Sequence, residues 1–325
     1  MRAVRYHHYG DPAAVIAVED LPAPVPDTGE VVIALEAAPV HLADIKNITG
    51  QPWFRAPLPA TPGYEGVGRV TRIGGGVTRI AVGDRVFLPT GFGTWQEEML
   101  APAASLWRAP EGLPAEQLSL LPINLQTAFL MLSEDSPVAA GDWVIQNAAN
   151  SNVGYYLIRL AKDMGLHTIN VVRRPDAIAA VEAAGGDVAL LDGDDLPDRV
   201  AAVCKDVRLG IDAVAGPATR RIAACLGQRA NLLNYGFLSG DICELAAQQM
   251  MFRELRFRGF FTKASLARMD AAAVAGMRER LSRFIMTDVP AAPVAAVYRF
   301  DRIQDALAHA ARTGCERTGK VILTP

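Results

Sequence analysis

Residues 143–174 constrain the fold more than any other stretch. Trp143, Val144 and Ile145 are aromatic or β-branched, as a buried strand requires, and after a run of small residues Val153, Leu157, Leu160, Ala161 and Met164 recur at helical spacing. Gly165 stops that helix, and Thr168 to Val172 resumes an apolar strand. Strand, tight turn, helix and strand form a βαβ unit, whose turn gathers backbone N–H groups and a helix N-terminus where a pyrophosphate fits.

The fingerprint of dinucleotide turns is G-x-G-x-x-G, and here only its last glycine, Gly154, is plainly present; Ala148, Ala149, Ser151 and Asn152 take the other small positions. On the turn alone, a crossover with no ligand is as good a reading. The end of the second strand moves the balance. An NAD site carries an Asp or Glu there for the ribose hydroxyls, whereas this chain carries Arg173 and Arg174, whose planar cationic forks suit a 2′-phosphate. The residues therefore favour NADPH, held by Asn150, Ser151, Asn152, Val153, Gly154 and the two arginines; a solvated strand end is the bland alternative for the pair.

The chain has 325 residues, enough for two domains with separate cores. Its 32 basic and 35 acidic residues leave a formal charge of −3 without long single-sign runs, so nucleic acid and anionic membrane are poor partner expectations. No apolar span is long enough to cross a bilayer and the first residues lack a signal-peptide core, so the cytoplasm is the expected compartment. Cys204, Cys225, Cys243 and Cys315 form no C-x-x-C pair, and reduced, structural thiols are expected.

Residues 1 to about 110 read as short strands broken by Gly and Pro, including Val31 to Ala37, Gly66 to Ile73, Asp84 to Leu88 and Gln96 to Leu100. From Pro110 to Gly141 the pattern turns helical, and from Gly141 to about Phe261 strands alternate with helices: Val188 to Leu191, Ile211 to Ala215, Asn231 to Tyr235 and Leu255 to Phe261. That alternation predicts a doubly wound parallel sheet, with ligands beyond the carboxyl ends of its strands. Val214-Ala215-Gly216 and Tyr235-Gly236-Phe237 end two strands with glycine, which lets their backbones approach a dinucleotide or simply make ordinary turns. Ala271 to Met286 reads as an amphipathic helix, and Asp301 as the cap of a helix to Arg312; the final strand is expected to return to the first domain.

This order of parts resembles the medium-chain dehydrogenase/reductase superfamily. The markers are Gly63-Tyr64-Glu65-Gly66 with Val67-Gly68-Arg69-Val70, Val82-Gly83-Asp84-Arg85-Val86, Gln126-Thr127-Ala128 and Gly319-Lys320-Val321-Ile322-Leu323. Within it, Ile145 to Gly154 and Thr168 to Arg173 are most similar to the 2-enoyl thioester reductases of the mitochondrial type. The resemblance implies a Rossmann domain at 121–289 inserted into a β-rich, GroES-like catalytic domain at 1–120 and 290–325. It also implies NADPH, a small-molecule substrate and a homodimer joined through Rossmann sheet edges around 231–261.

The zinc-bearing branch holds its metal at positions that correspond here to His41, Tyr64 and Ile123, so one ligand type of three remains and no metal is expected. The enoyl reductases place a proton-donating tyrosine where this chain has Pro52, beside Trp53. Proline donates nothing. His41 and Tyr64 are the substitutes that the resemblance brings to the nicotinamide cleft, against plain alternatives of a satisfied core histidine and a packing aromatic. Asn124, Gln126 and Thr127 are candidates for the nicotinamide carboxamide or a substrate carbonyl. Trp53, Phe54, Phe92, Trp95 and Phe261 are candidate pocket walls, with core packing the stronger alternative for Trp95. The expected activity is hydride transfer to the β-carbon of a 2-enoyl thioester or enone. A quinone oxidoreductase of the same fold is the alternative, and an NADPH-binding protein with little catalysis belongs to a different class.

Overall fold

The computed structural model describes every residue except Phe92, 134–137, 289–291 and 313–318, so Phe92 and Cys315 lie outside the described residues. The chain forms two compact units, Met1–Ile123 with Ala291–Pro325, and Asn124–Pro290.

In the first unit, Glu30–Pro39 is the hub of a seven-stranded sheet: it pairs antiparallel with Val67–Ile73, with Glu98–Pro102 and with the last strand, Lys320–Thr324. Its alternate residues Val31, Ile33 and Leu35 face a core with Tyr6, Ile48, Trp95, Phe300 and Leu323, as a period of two requires. Trp95 is fully buried, and its indole N–H donates to the Pro39 carbonyl at 3.3 Å. It is a core residue.

Among the described residues the second unit carries a sheet of six strands, all parallel. Their order across the sheet is Val188–Leu191, His167–Val172, Trp143–Gln146, Val207–Asp212, Leu226–Asn234 and Arg256–Gly259. In chain succession this is third, second, first, fourth, fifth and sixth, the doubly wound arrangement, with its switch point beside Trp143–Gln146. Val171 and Val172 are neighbours in one strand but fall in different cores. The sheet is therefore covered on both faces, which is why its strands read as continuous apolar runs.

Two local expectations need correction. The strand expected at Ile211 to Ala215 is Val207–Asp212, because Ala215 takes a left-handed φ of 66° and Asp212 turns into a buried polar network. Asp301 caps no helix: a single 3-10 turn, Phe300–Arg302, intervenes, and Ile303–Ala311 begins after Arg302 without a side-chain cap. Gly236 has a packing reason of its own, since a Cβ there would sit 2.6 Å from the Ala213 carbonyl oxygen. Its missing side chain serves the packing of the chain on itself.

Candidate active site

In the second unit the turn after Trp143–Gln146 leads into the helix Asn152–Asp163. Ser151 caps that helix, its hydroxyl accepting the Gly154 N–H at 3.1 Å. Gly154 is required here because a Cβ would lie 2.3 Å from the Ala149 carbonyl oxygen. The other glycines of the usual fingerprint are dispensable: Ala148 tolerates a φ of 49°. At the head of the helix the Asn152 and Val153 N–H groups have no helical carbonyl to bond. The buried Asn152 side chain adds an Nδ2 with no hydrogen-bond partner.

A cleft of about 150 Å³ opens beside this turn, lined among others by Asn147, Asn150, Ser151, Arg173 and Asp192. Arg173 is exposed and makes no ion pair among the described residues, whereas Arg174 is engaged by Asp176 at 3.3 Å. Asp192 is neutralised from behind by a two-pronged bond from Arg221, at 2.7 and 2.6 Å. The Tyr235 phenol hydrogen-bonds Ser151, and burial pushes its pKa up to about 12, so it stays protonated. Arg173 and the polar side chains Asn147, Asn150 and Ser151 therefore line a cleft whose one lining carboxylate is already paired.

Beneath the turn lies a network that the sequence did not announce. Asp212 is fully buried and accepts from Asn147 Nδ2 at 2.6 Å, Thr219 Oγ1 at 2.6 Å, Asn234 Nδ2 at 3.1 Å and the N–H groups of Val214 and Ala215. It ties together the carboxyl ends of three neighbouring strands. The available signal was a polar residue at each of those ends, Asn147, Asp212 and Asn234. Asn124, Gln126 and Thr127 are buried, and Thr127 shares a 2.6 Å hydrogen bond with Thr262.

In the first unit, His41 precedes the helix Leu42–Ile48 and its two ring nitrogens are both taken. Nε2 meets the fully buried Glu65 carboxylate at 2.6 Å, and Nδ1 meets the Lys320 ammonium at 3.2 Å. Because an ammonium only donates, Nδ1 accepts and Nε2 carries the proton given to Glu65. His41 consequently has no N–H left for a substrate, which corrects the role expected for it. The second Glu65 oxygen accepts the Ile123 N–H at 2.7 Å, so one carboxylate joins two of the three positions where the zinc-bearing branch places ligands. Among the described residues no group of three or more His, Cys, Asp or Glu is placed to hold a metal ion.

Asp44, also fully buried, accepts the His41 N–H at 2.7 Å and the Gly63 N–H at 3.1 Å. Burial raises its pKa to about 6 against the lowering effect of His41. Gly63 in turn leads into Tyr64, which is half-buried and bonded to the Asn47 side chain; burial raises the phenol and Asn47 lowers it. Tyr6 donates to Asn47 Oδ1, which leaves the Asn47 amide N–H for the Tyr64 oxygen and the Tyr64 proton free to be donated. Asn47, Glu65 and Lys320 thus do the positioning, and the last two stood in the sequence only as parts of markers.

The expected aromatic walls are not enclosed. Trp53 is 95% exposed and Phe261 66% exposed, while Phe54 lies under the Lys46 ammonium, 5.5 Å from its ring centre. No helix of the described residues is long and apolar enough to cross a membrane.

Two family models match this chain, the alcohol dehydrogenase GroES-like domain over residues 27–111 and the zinc-binding dehydrogenase domain over 152–277. The human mitochondrial enoyl-[acyl-carrier-protein] reductase is 32% identical over 269 residues, covering 80% of this chain and 72% of that one. The chain belongs to the medium-chain dehydrogenase/reductase superfamily. It is an oxidoreductase of that type. A putative NADPH:quinone reductase from Bacillus thuringiensis shares the fold at 24% identity and a TM-score of 0.92, covering 100% of this chain and 98% of that one. Two mycobacterial structures, one solved with NADPH and one of a quinone oxidoreductase, are each 26% identical over 100% of both chains, with TM-scores of 0.85 and 0.82.

Proposed function

We propose that this oxidoreductase uses NADPH to reduce the carbon–carbon double bond of a 2-enoyl thioester or similar enone, without zinc. The observation that carries the reading is the 32% identity to the human enoyl reductase across most of both chains. The preference for NADPH is supported by Arg173, a guanidinium on the dinucleotide cleft with no ion pair among the described residues, while the N–H groups at the head of the Asn152 helix suit the pyrophosphate that both dinucleotides share. The bound cofactor supplies the hydride. The chain supplies position and polarity.

Arg173 receives the 2′-phosphate, the turn receives the pyrophosphate, and Tyr64 donates a hydrogen bond to the thioester oxygen as negative charge develops there. His41, fixed by Glu65 and Lys320, acts as a positioning residue: it begins the helix that carries Asn47, and Asn47 orients Tyr64. Independence from zinc is supported by the same pairing, which commits both imidazole nitrogens within the chain. Homodimerisation through the outer strand Arg256–Gly259 fits its place at one edge of the sheet, and sedimentation checks it.

The test follows NADPH absorbance with a crotonyl thioester and, separately, with a simple quinone. Faster turnover of the thioester is expected, and turnover of the quinone alone refutes the proposal. The second reading, a quinone oxidoreductase, draws on Pro52 at the family's tyrosine position and on the 26% identical mycobacterial enzyme. Tyr64→Phe separates them further. For an enoyl reductase its turnover falls by ~100-fold or more with NADPH affinity kept, because a positioned proton donor contributes that much; for a quinone reductase it hardly changes.

A further inference from the structure

The Arg5 guanidinium is paired with almost nothing. The residue ends the strand Arg2–Arg5 and lines an open cavity of about 460 Å³ with Thr61, Gly91, Gly93 and Gln96, all within the first unit. Its one hydrogen bond is a long one, from Nη1 to the Thr61 hydroxyl at 3.5 Å, and its Nε is buried without any acceptor. Among the described residues no carboxylate pairs with it. Several other arginines of the same unit have acids, among them Arg2 with Glu97, Arg72 with Glu98, and Arg85 with Glu36.

A guanidinium that is partly desolvated and lacks a counter-charge is costly for a fold to keep, and an incoming oxyanion relieves that cost. The rest of the lining suits such a guest. Two glycines leave backbone exposed, the Thr61 hydroxyl adds a polar atom, and the Gln96 amide is anchored to the Gly93 carbonyl at 2.7 Å, which fixes that wall. Gly91 donates to the Tyr64 carbonyl at 2.8 Å, so the cavity sits on the loop that abuts Tyr64.

We infer that the Arg5 cavity is a binding site for an oxyanion, a phosphate or a carboxylate, taken by the guanidinium as a charge-assisted, two-pronged pair. The chemistry is shared by a phosphorylated carrier and by an acid group on a small molecule, and the test separates them. The site does not depend on the reductase reading, because its test uses neither nicotinamide nor thioester.

The protein is labelled with isotopic arginine, the Arg5 Nε–H resonance is assigned by its loss in Arg5→Gln, and inorganic phosphate and acetate are titrated separately. The expected result is a saturable shift of that resonance before the exposed arginines move. Phosphate as the tighter anion points to a phosphorylated guest, acetate to a carboxylate. Calorimetry with Arg5→Gln is expected to show affinity reduced by ~10-fold or more, the worth of one charge-assisted pair. If Arg5→Gln does not fold, Arg5→Lys serves for assignment, and the titration of the unaltered protein still decides. An Arg5 resonance that stays still, or that drifts only together with the surface arginines, overturns the inference.

Discussion

The two units treat their polar groups in opposite ways. Around His41 every strong group within reach is answered inside the chain: Glu65 by His41 and the Ile123 N–H, His41 by Lys320, Asp44 by two backbone N–H groups. Around the Asn152 turn, donors are left open: the Asn152 amide, the Arg173 guanidinium and the first helical N–H groups. Closed sets of this kind hold a backbone in place, and open ones wait for a ligand. Under the proposed function the difference suits His41 to scaffolding and Arg173 to recognition, although residue type alone makes the histidine the more tempting catalyst.

The largest effect is expected from breaking a closed set. Glu65→Ala removes a fully buried carboxylate and strands both His41 Nε2–H and the Ile123 N–H; the loss should be ~3–5 kcal/mol in urea unfolding. A loss below ~1 kcal/mol would show that water already answers these groups.

Asp44 gives the next largest effect, as a pH dependence. Burial lifts its carboxyl from 3.8 to about 6, so between those values the folded state binds the proton more tightly than the unfolded chain. Stability then falls as pH rises through that window, the reverse of a salt-bridged carboxylate. The stability of the natural protein minus that of Asp44→Asn should drop by up to ~3 kcal/mol from pH ~4 to pH ~6 and level off above. A flat difference means that Asp44 titrates as a solvated acid.

Smaller effects sharpen the open set. Asn152→Ala should weaken both nicotinamide dinucleotides by ~2–10-fold, since one neutral hydrogen bond is lost, and equilibrium titration reads it directly. Arg174→Ala should matter least, within ~3-fold, because that side chain is already engaged by Asp176 at an exposed site. An effect of Arg174 larger than that of Asn152 would place the phosphate elsewhere.

Much of the fold was legible because period and topology are written locally. Val188 to Leu191 was read to the residue, and the βαβ unit at 143–174 fell out of alternation and helical spacing. Where the sequence misled, long-range polar contacts were responsible. The Ile211 strand ends early because Asp212 is claimed by Asn147 and Asn234, residues 65 and 22 positions away. His41 looked like an acid–base residue because its partners, Glu65 and Lys320, stand 24 and 279 positions off. Trp53 looked like a pocket wall because aromatic residues usually seek cover, yet it stands in the open. Neighbouring residues disclose the type of an element, while the state of a side chain is decided by partners that only the fold brings near.

The account rests on Arg173 reading a phosphate that NADH lacks, and one experiment addresses it: a double cycle in which the natural protein and Arg173→Ala are each titrated with NADPH and NADH. The natural protein should bind NADPH at least ~10-fold more tightly than NADH, and Arg173→Ala should lose most of that preference while keeping its affinity for NADH, as expected for one charge-assisted pair. Equal affinity for the two cofactors in the natural protein, or a preference that survives the substitution, would contradict it.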